Sequence, residues 1–194
     1  LFGETIRIGA AAGADLVLIE TMSDSYEAKA AVLAAKENCD LPVLVTLIFD
    51  EKGKLLTGGT VDSTVAMLEG LRVDALGVNC GLGPKQMHPI IERLTQVSSL
   101  PIIVNPNAGL PRSENGKTVF DIAPAEFSDL MEGIAVMGVQ ALGGCCGTTP
   151  EHLRLTIEKC RKVPFRPPVA KRRTVVSSFS QAVEIGPKPV IIRE

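Results

Sequence analysis

The stretch Gly138-Val139-Gln140-Ala141-Leu142-Gly143-Gly144-Cys145-Cys146-Gly147-Thr148-Thr149-Pro150 contains one complete strand-to-helix transition. The apolar run at 138–142 predicts a strand, the glycines after it predict a turn, and Thr149-Pro150 is typical of a helix start. Four similar runs precede it, so the five predicted strands are Asp15–Glu20, Pro42–Ile48, Asp74–Asn79, Pro101–Asn105 and Gly138–Leu142. Each run is continuous rather than alternating, which is typical of a parallel strand buried on both faces.

Helical patterns alternate with these strands, and strand starts lie roughly 27 to 37 residues apart, which indicates repeated βα units. The predicted helices are Ser25–Glu37, Thr60–Leu71, Pro84–Thr95, Ala125–Met137 and Pro150–Lys162. An open doubly wound sheet is one α/β arrangement, but no Gly-x-Gly-x-x-Gly follows any strand. Polar and cysteine residues instead follow several strands at their carboxyl ends, which favours a parallel βα barrel of the TIM type. If that barrel has eight strands, we expect these to be its last five, with the first three upstream of Leu1.

Composition narrows the functional class. The chain has 194 residues, is 45% hydrophobic and carries a formal charge of −2, so nothing is basic enough to predict nucleic-acid binding. The sequence contains neither an apolar run long enough to cross a bilayer nor the pattern of a signal peptide. An odd count of five cysteines placed after strands fits metal binding or catalysis in a reducing compartment, so we expect a cytoplasmic protein.

Three of the cysteines form a candidate zinc site with one open position. Cys80 ends the third predicted strand and Cys145 the fifth, and side chains of alternate strands share one interior layer of a barrel. Cys145 and Cys146 are adjacent, so both can reach one ion only where regular strand geometry breaks, which the flanking glycines permit. The alternative is that all three are ordinary buried cysteines.

The remaining candidate ligands are less suitable. Cys39 precedes a strand and Cys160 lies late in the last helix, so neither is placed to be a fourth ligand. His88 and His152 lie within or at the start of helices, and packing or surface roles are the better interpretation for both.

Four segments carry a family resemblance: Asp15–Thr21, Gly77–Cys80, Pro106–Pro111 and Gly143–Pro150. Together they resemble the homocysteine S-methyltransferase family over about Gly9 to Lys162. Within it the chain is most similar to the homocysteine-binding module of the cobalamin-dependent methionine synthases. In those proteins a pterin-binding domain follows the barrel, and residues 183–192 are similar to that junction. The chain departs from the pattern where the family continues with Gly-Glu-Arg, and it lacks the family's first strand containing Asp-Gly.

The resemblance implies roles for particular residues. Cys80, Cys145 and Cys146 are expected to bind Zn²⁺ and to leave the open position to the thiol of homocysteine. Glu20 is expected to receive the substrate amino group, although a carboxylate at this place could instead cap the following helix. Asn107 is expected close enough to the metal to fill the fourth position without substrate, although it could be only a turn residue.

The implied activity is transfer of a methyl group to homocysteine to give methionine. The expected donor is methylcobalamin, which is recharged from methyltetrahydrofolate, and the expected partners are homocysteine and the cobalamin- and pterin-binding domains of the same longer chain. The alternatives are S-methylmethionine or betaine as donor, or an inactive structural fragment, and we expect residues 1–194 alone to be inactive as a methyltransferase. Residues 1–163 are assigned to the C-terminal portion of the barrel, and residues 164–194, which include a proline-rich basic run, to an extended linker toward a pterin-binding domain.

Overall fold

The fold alternates helices and strands in a computed structural model that describes residues 1–186 and 188. The helices are α1 (Phe2–Ala11), α2 (Ser25–Asn38), α3 (Val61–Gly70), α4 (Pro84–Val97), α5 (Pro124–Val136) and α6 (Pro150–Cys160). The strands are β1 (Val17–Met22), β2 (Val43–Leu47), β3 (Ala75–Asn79), β4 (Ile102–Asn105), β5 (Arg112–Glu114), β6 (Lys117–Val119), β7 (Ala141–Leu142), β8 (Val175–Ser177) and β9 (Ala182–Glu184).

Five of these strands form one parallel sheet in the order β1-β2-β3-β4-β7. All five were predicted from the sequence, and each sequential pair is joined by a crossover that contains a helix. The carboxyl ends of the strands therefore lie at one edge, where Asn79 of β3 pairs with Asn105 of β4. The α/β class and the parallel βα arrangement are confirmed.

The two faces of the sheet differ in burial. Val43, Val45 and Leu47 of β2 alternate toward the helices and are essentially inaccessible to solvent, as is expected for the main core. The opposite face corresponds to the interior of a barrel. There Asn79 is fully buried in the middle of the sheet, whereas Leu18 on the outer strand β1 remains 45% exposed.

Local sequence explains where most helices begin. Asp24 caps α2 by accepting a hydrogen bond from the backbone N–H of Glu27 at 2.8 Å. Proline opens α4, α5 and α6, where its missing N–H leaves no helical hydrogen bond unmade. Helix α1 was not predicted. No helix among the described residues combines the length and hydropathy that a membrane span requires.

Strand β7 is shorter than the predicted run at 138–142. Gly138 has a φ of +96° and belongs to the turn after α5. The Gln140 side chain then donates to the carbonyl of Gly138 and accepts from the backbone N–H of Ile102 at 2.8 Å. These bonds hold residues 138–140 as a turn beside the start of β4.

Part of the segment assigned as a linker lies against the helices. Strands β8 and β9 form an antiparallel hairpin, and Phe179 at its tip lies with its ring centroid 5.0 Å from that of Tyr26 in α2. The backbone N–H of Lys171 also donates to the hydroxyl of Ser99 at 3.1 Å. Within the predicted junction at 183–192, residues 187 and 189–192 lie outside the described residues.

Candidate metal centre

Three cysteine sulfurs converge at the carboxyl edge of the sheet. The Sγ atoms of Cys80, Cys145 and Cys146 all lie within 4.8 Å of one another. The Cys80–Cys146 sulfur distance is 3.6 Å and the Cys145–Cys146 distance is 4.0 Å. Tetrahedral Zn–S bonds of about 2.3 Å place sulfurs about 3.8 Å apart, so the cluster matches a three-sulfur zinc site.

Cys80 reaches the cluster through a left-handed turn. It follows β3 directly, has a φ of +59°, and is succeeded by Gly81 at +72°. Its backbone N–H still donates to the carbonyl of Asn105 at 3.1 Å, so the strand pairing continues up to the turn. A left-handed conformation at a residue other than glycine is uncommon, and here it turns the thiol away from the strand alternation.

Cys145 and Cys146 lie on a loop that hydrogen bonds join to the segment after β4. The N–H of Cys145 donates to the carbonyl of Pro106 at 2.8 Å, and the carbonyl of Cys146 accepts from Ala108 at 2.9 Å. The N–H of Cys146 donates to the side-chain Oδ1 of Asn107 at 3.0 Å. Because these bonds replace regular strand pairing, both adjacent sulfurs face the same site, as the glycine pattern predicted.

Two glycines make this loop possible. Gly147 has a φ of +79°, and a side chain there would enter the ring of Phe120. A side chain at Gly144 would come within 2.6 Å of Thr148, whose hydroxyl donates to the carbonyl of Cys145 at 2.7 Å. Any larger residue at either position would displace the loop that carries the two sulfurs.

The thiols of Cys145 and Cys146 resist ionisation without a cation. Burial raises the pKa of Cys145 to about 12, and the nearby Cys80 sulfur adds to this effect. The hydrogen bond with Cys80, followed by burial, raises the pKa of Cys146. Several crowded thiolates repel one another, so a positive charge among them is the condition that favours their ionised forms.

The other residues singled out from the sequence are distributed as follows. Glu20 lies near the carboxyl end of β1 and is exposed, and Asn107 is buried with its oxygen bound to the Cys146 N–H. Cys39 caps the far end of α2 and lies outside the cluster, as does Cys160 at the end of α6. His88 is exposed on α4.

His152 has a packing role, as the sequence analysis favoured. Its ring is buried, and Nε2 lies 2.9 Å from the carbonyl of Ile122, to which it donates. Nδ1 accepts from the backbone N–H of Thr149 at 3.1 Å and completes the cap of α6. Both ring nitrogens are therefore used inside the fold.

Sequence reasoning missed one pair of residues beside the cluster. The Asn79 side chain accepts from the backbone N–H of Thr21 at 3.1 Å and donates to its hydroxyl at 2.6 Å. Its Nδ2 also lies 4.0 Å from the sulfur of Cys145. The only signal in the sequence was the position of Asn79 immediately before Cys80, which gives no indication of a contact with β1.

The described residues combine a five-stranded parallel βα sheet with a cluster of three cysteine sulfurs at its carboxyl edge. A profile of the family Homocysteine S-methyltransferase matches residues 1–160, and the chain belongs to this family.

Particular relatives agree with this assignment. The chain is 34% identical over 191 residues to a methionine synthase of Mycobacterium leprae and 32% identical over 186 residues to one of Mycobacterium tuberculosis. These matches cover 93% and 89% of this chain but only 16% of either relative, so the chain spans about one sixth of their length. The apo structure of the homocysteine methyltransferase MmuM of Escherichia coli shares the fold, with a TM-score of 0.64 and 23% identity. That match covers 81% of this chain and 57% of the other.

Proposed function

We propose that this chain carries the homocysteine-binding site of a zinc-dependent methyltransferase that converts homocysteine to methionine. The observation that carries the proposal is the convergence of the Cys80, Cys145 and Cys146 sulfurs at the carboxyl edge of the sheet. Family membership provides independent support, because the matched region includes all three cysteines.

The donor set suits Zn²⁺. Three sulfur ligands at tetrahedral spacing leave one position open, which distinguishes a catalytic zinc site from a closed structural one. When bound, the ion would lower the pKa of the substrate thiol and keep it ionised at neutral pH. The protein contributes the fixed arrangement of the three sulfurs and the orientation of the substrate.

Two residues are proposed to act on the substrate side. Glu20 is exposed near the carboxyl end of β1 and is proposed to receive the amino group of homocysteine. Asn107 is proposed to fill the fourth metal position when substrate is absent. Its oxygen now accepts from Cys146, so this role would require that hydrogen bond to be shared or exchanged.

The proposed methyl donor is methylcobalamin, recharged from methyltetrahydrofolate by other domains of a longer chain. Two relatives named methionine synthase are about six times as long as the matched region, which leaves room for such domains in those proteins. We accordingly propose that residues 1–163 are the C-terminal portion of a homocysteine-binding barrel and that 164–194 lead toward a pterin-binding domain. A cytoplasmic location accompanies this proposal, since free thiols at the site require reducing conditions.

The decisive experiment is a methyl-transfer assay with the full-length protein and its metal content measured in parallel. We expect one zinc per chain and methionine formed from homocysteine with methylcobalamin as donor. Efficient transfer from S-methylmethionine or betaine instead would assign the other donor class. Stoichiometric zinc retained after all three cysteines are replaced by alanine would overturn the metal assignment.

A further inference from the structure

The Asn79 side chain joins two parts of the proposed site that are distant in sequence. It extends from the end of β3, and its carboxamide makes a two-point contact with Thr21 through the backbone N–H at 3.1 Å and the hydroxyl at 2.6 Å. Strand β2 lies between β1 and β3, so this contact crosses the barrel-interior face rather than joining neighbouring strands. Asn79 is fully buried, which makes the geometry of the contact well defined.

The contact holds an irregular piece of backbone. Thr21 has a φ of +63°, which is unfavourable for a β-branched residue, and the pairing of β1 with β2 changes register between Ile19 and Met22. Such a conformation persists only where the surroundings enforce it, and the two hydrogen bonds between Thr21 and Asn79 do so here. The irregularity contains Glu20, so the direction of its carboxylate depends on this turn.

The same side chain lies against the sulfur cluster. Asn79 immediately precedes Cys80, and its Nδ2 lies 4.0 Å from the sulfur of Cys145. One carboxamide therefore contacts the turn that carries Glu20 and the group that would hold the metal.

We propose that Asn79 and Thr21 form a positioning clamp, which fixes the distance between the amino-group site at Glu20 and the thiol site at Cys80, Cys145 and Cys146. The inference rests on the proposed function and deepens it, because it names the residues that select a substrate bearing both an amino group and a thiol. The clamp acts through Glu20 and touches neither end of the substrate.

The test compares two ligands that differ only in the amino group. Homocysteine and 4-mercaptobutyrate share the thiol, the chain length and the carboxylate, and binding of each to the zinc-loaded full-length protein is measured by titration calorimetry. In Asn79→Ala and Thr21→Val we expect homocysteine to bind about tenfold more weakly, the equivalent of one or two net hydrogen bonds. Binding of 4-mercaptobutyrate should stay within about twofold of the wild type, and zinc content should remain at one per chain.

Two matched variants separate positioning from general destabilisation. Thr21→Ser keeps the hydroxyl that accepts from Asn79 and should recover most of the homocysteine affinity. Thr64→Val removes a buried threonine hydroxyl that bonds to Thr60 at 2.8 Å on the outer helix α3, and it should leave the ratio of the two affinities unchanged. In a Glu20→Gln background, Asn79→Ala should have little further effect on homocysteine, because both changes remove the same interaction.

Equal weakening of both ligands in Asn79→Ala, or no weakening of either, would overturn the clamp while leaving the proposed function intact. A wild-type protein that holds zinc but binds neither thiol would overturn the proposed function and the clamp together. A wild type that does not distinguish the two ligands would remove Glu20 as the amino-group site, and the clamp would then have nothing to position.

Discussion

The carboxyl ends of β3 and β7 deliver sulfurs to the same site by different means. Strand β3 is fully formed and buried, and two left-handed residues follow it at once, the first of which is the ligand Cys80. After the two-residue strand β7, a loop carries Cys145 and Cys146 and is held by hydrogen bonds to residues 106–108. One ligand is therefore positioned by the strand, and the other two are positioned by a tertiary partner. The β7 end should therefore be the more sensitive to changes outside the cysteines.

The largest effect is expected from removing a ligand at either end. Cys145→Ala should reduce bound zinc to below about a tenth of stoichiometric and abolish methyl transfer, because two sulfurs do not hold a catalytic zinc. Cys80→Ala should do the same, since the two ends contribute to one ion. Cys39→Ala, on the far side of the sheet, is the control and should retain metal. Metal content by atomic absorption and activity are the measurements, and full zinc in Cys145→Ala would contradict the prediction.

The loop itself can be broken without touching a sulfur. Gly147→Ala places a side chain against Phe120 at a φ of +79°, so we expect a loss of about 2 to 4 kcal/mol in the free energy of unfolding and a matching loss of zinc. Gly133→Ala in the middle of α5 has open space around it and should be neutral or slightly stabilising. Denaturant unfolding of both variants is the measurement, and equal stabilities would show that the β7 loop tolerates the side chain.

The number of protons released when zinc binds shows whether Cys145 and Cys146 ionise as ligands. The pKa values of Cys145 and Cys146 are raised above the usual thiol value, so both are protonated in the metal-free protein at neutral pH. Zinc binding should displace at least these two protons, so the zinc affinity should fall at least about 100-fold, or about 2.7 kcal/mol, for each unit by which the pH is lowered. Calorimetry in buffers of different ionisation enthalpy gives the proton count. Zinc binding without proton release at pH 7 would show that these thiols are not ligands.

The partner of the β7 loop provides a smaller effect. Asn107→Ala removes the acceptor for the Cys146 N–H, so zinc affinity should fall by about 10- to 100-fold, as for other groups that orient metal ligands. Asn107→Asp keeps an acceptor oxygen in the same place, so its zinc affinity should fall less than that of Asn107→Ala. Competition with a chromophoric chelator measures the affinities, and an unchanged value in Asn107→Ala would mean that the loop is held by its backbone bonds alone.

The smallest effect on stability is expected from breaking an ion pair between the outer helices α3 and α4, which flank β3. Arg93 of α4 forms a two-point ion pair with Asp62 of α3, with Nε 2.9 Å from Oδ2, and the hydrogen bond from Arg93 lowers the pKa of the Asp62 carboxyl. Because a lowered carboxyl pKa stabilises the fold above the unfolded value of about 4, the contribution is present at pH 7 and is lost as the pH falls through the folded pKa. Asp62→Asn should cost less than about 1 kcal/mol at pH 7 and leave zinc content unchanged. Urea unfolding at pH 7 and pH 4 checks this, and a difference that grows toward pH 4 would contradict it.

Most of the regular fold could be predicted from the sequence because its signals are local. Continuous apolar runs indicated all five strands of the sheet, and Thr149-Pro150 indicated the start of α6. The cysteines were identified as a group because glycines flank the pair and because the carboxyl ends of parallel strands share one edge. Helix α1 and the hairpins β5–β6 and β8–β9 were missed, since short exposed strands carry little apolar pattern.

The α/β class, the parallel order of the units and the candidate sulfurs could be read from the sequence alone. How the site is held depends on the folded chain, through the carboxamide of Asn79 on Thr21, Asn107 on the Cys146 N–H and the left-handed turn at Cys80. The difference arises from how far apart along the chain the interacting residues lie. Strands and helices arise from periodicity and propensity within a few residues, whereas these hydrogen bonds join residues 58 and 39 positions apart that meet only after the sheet has formed.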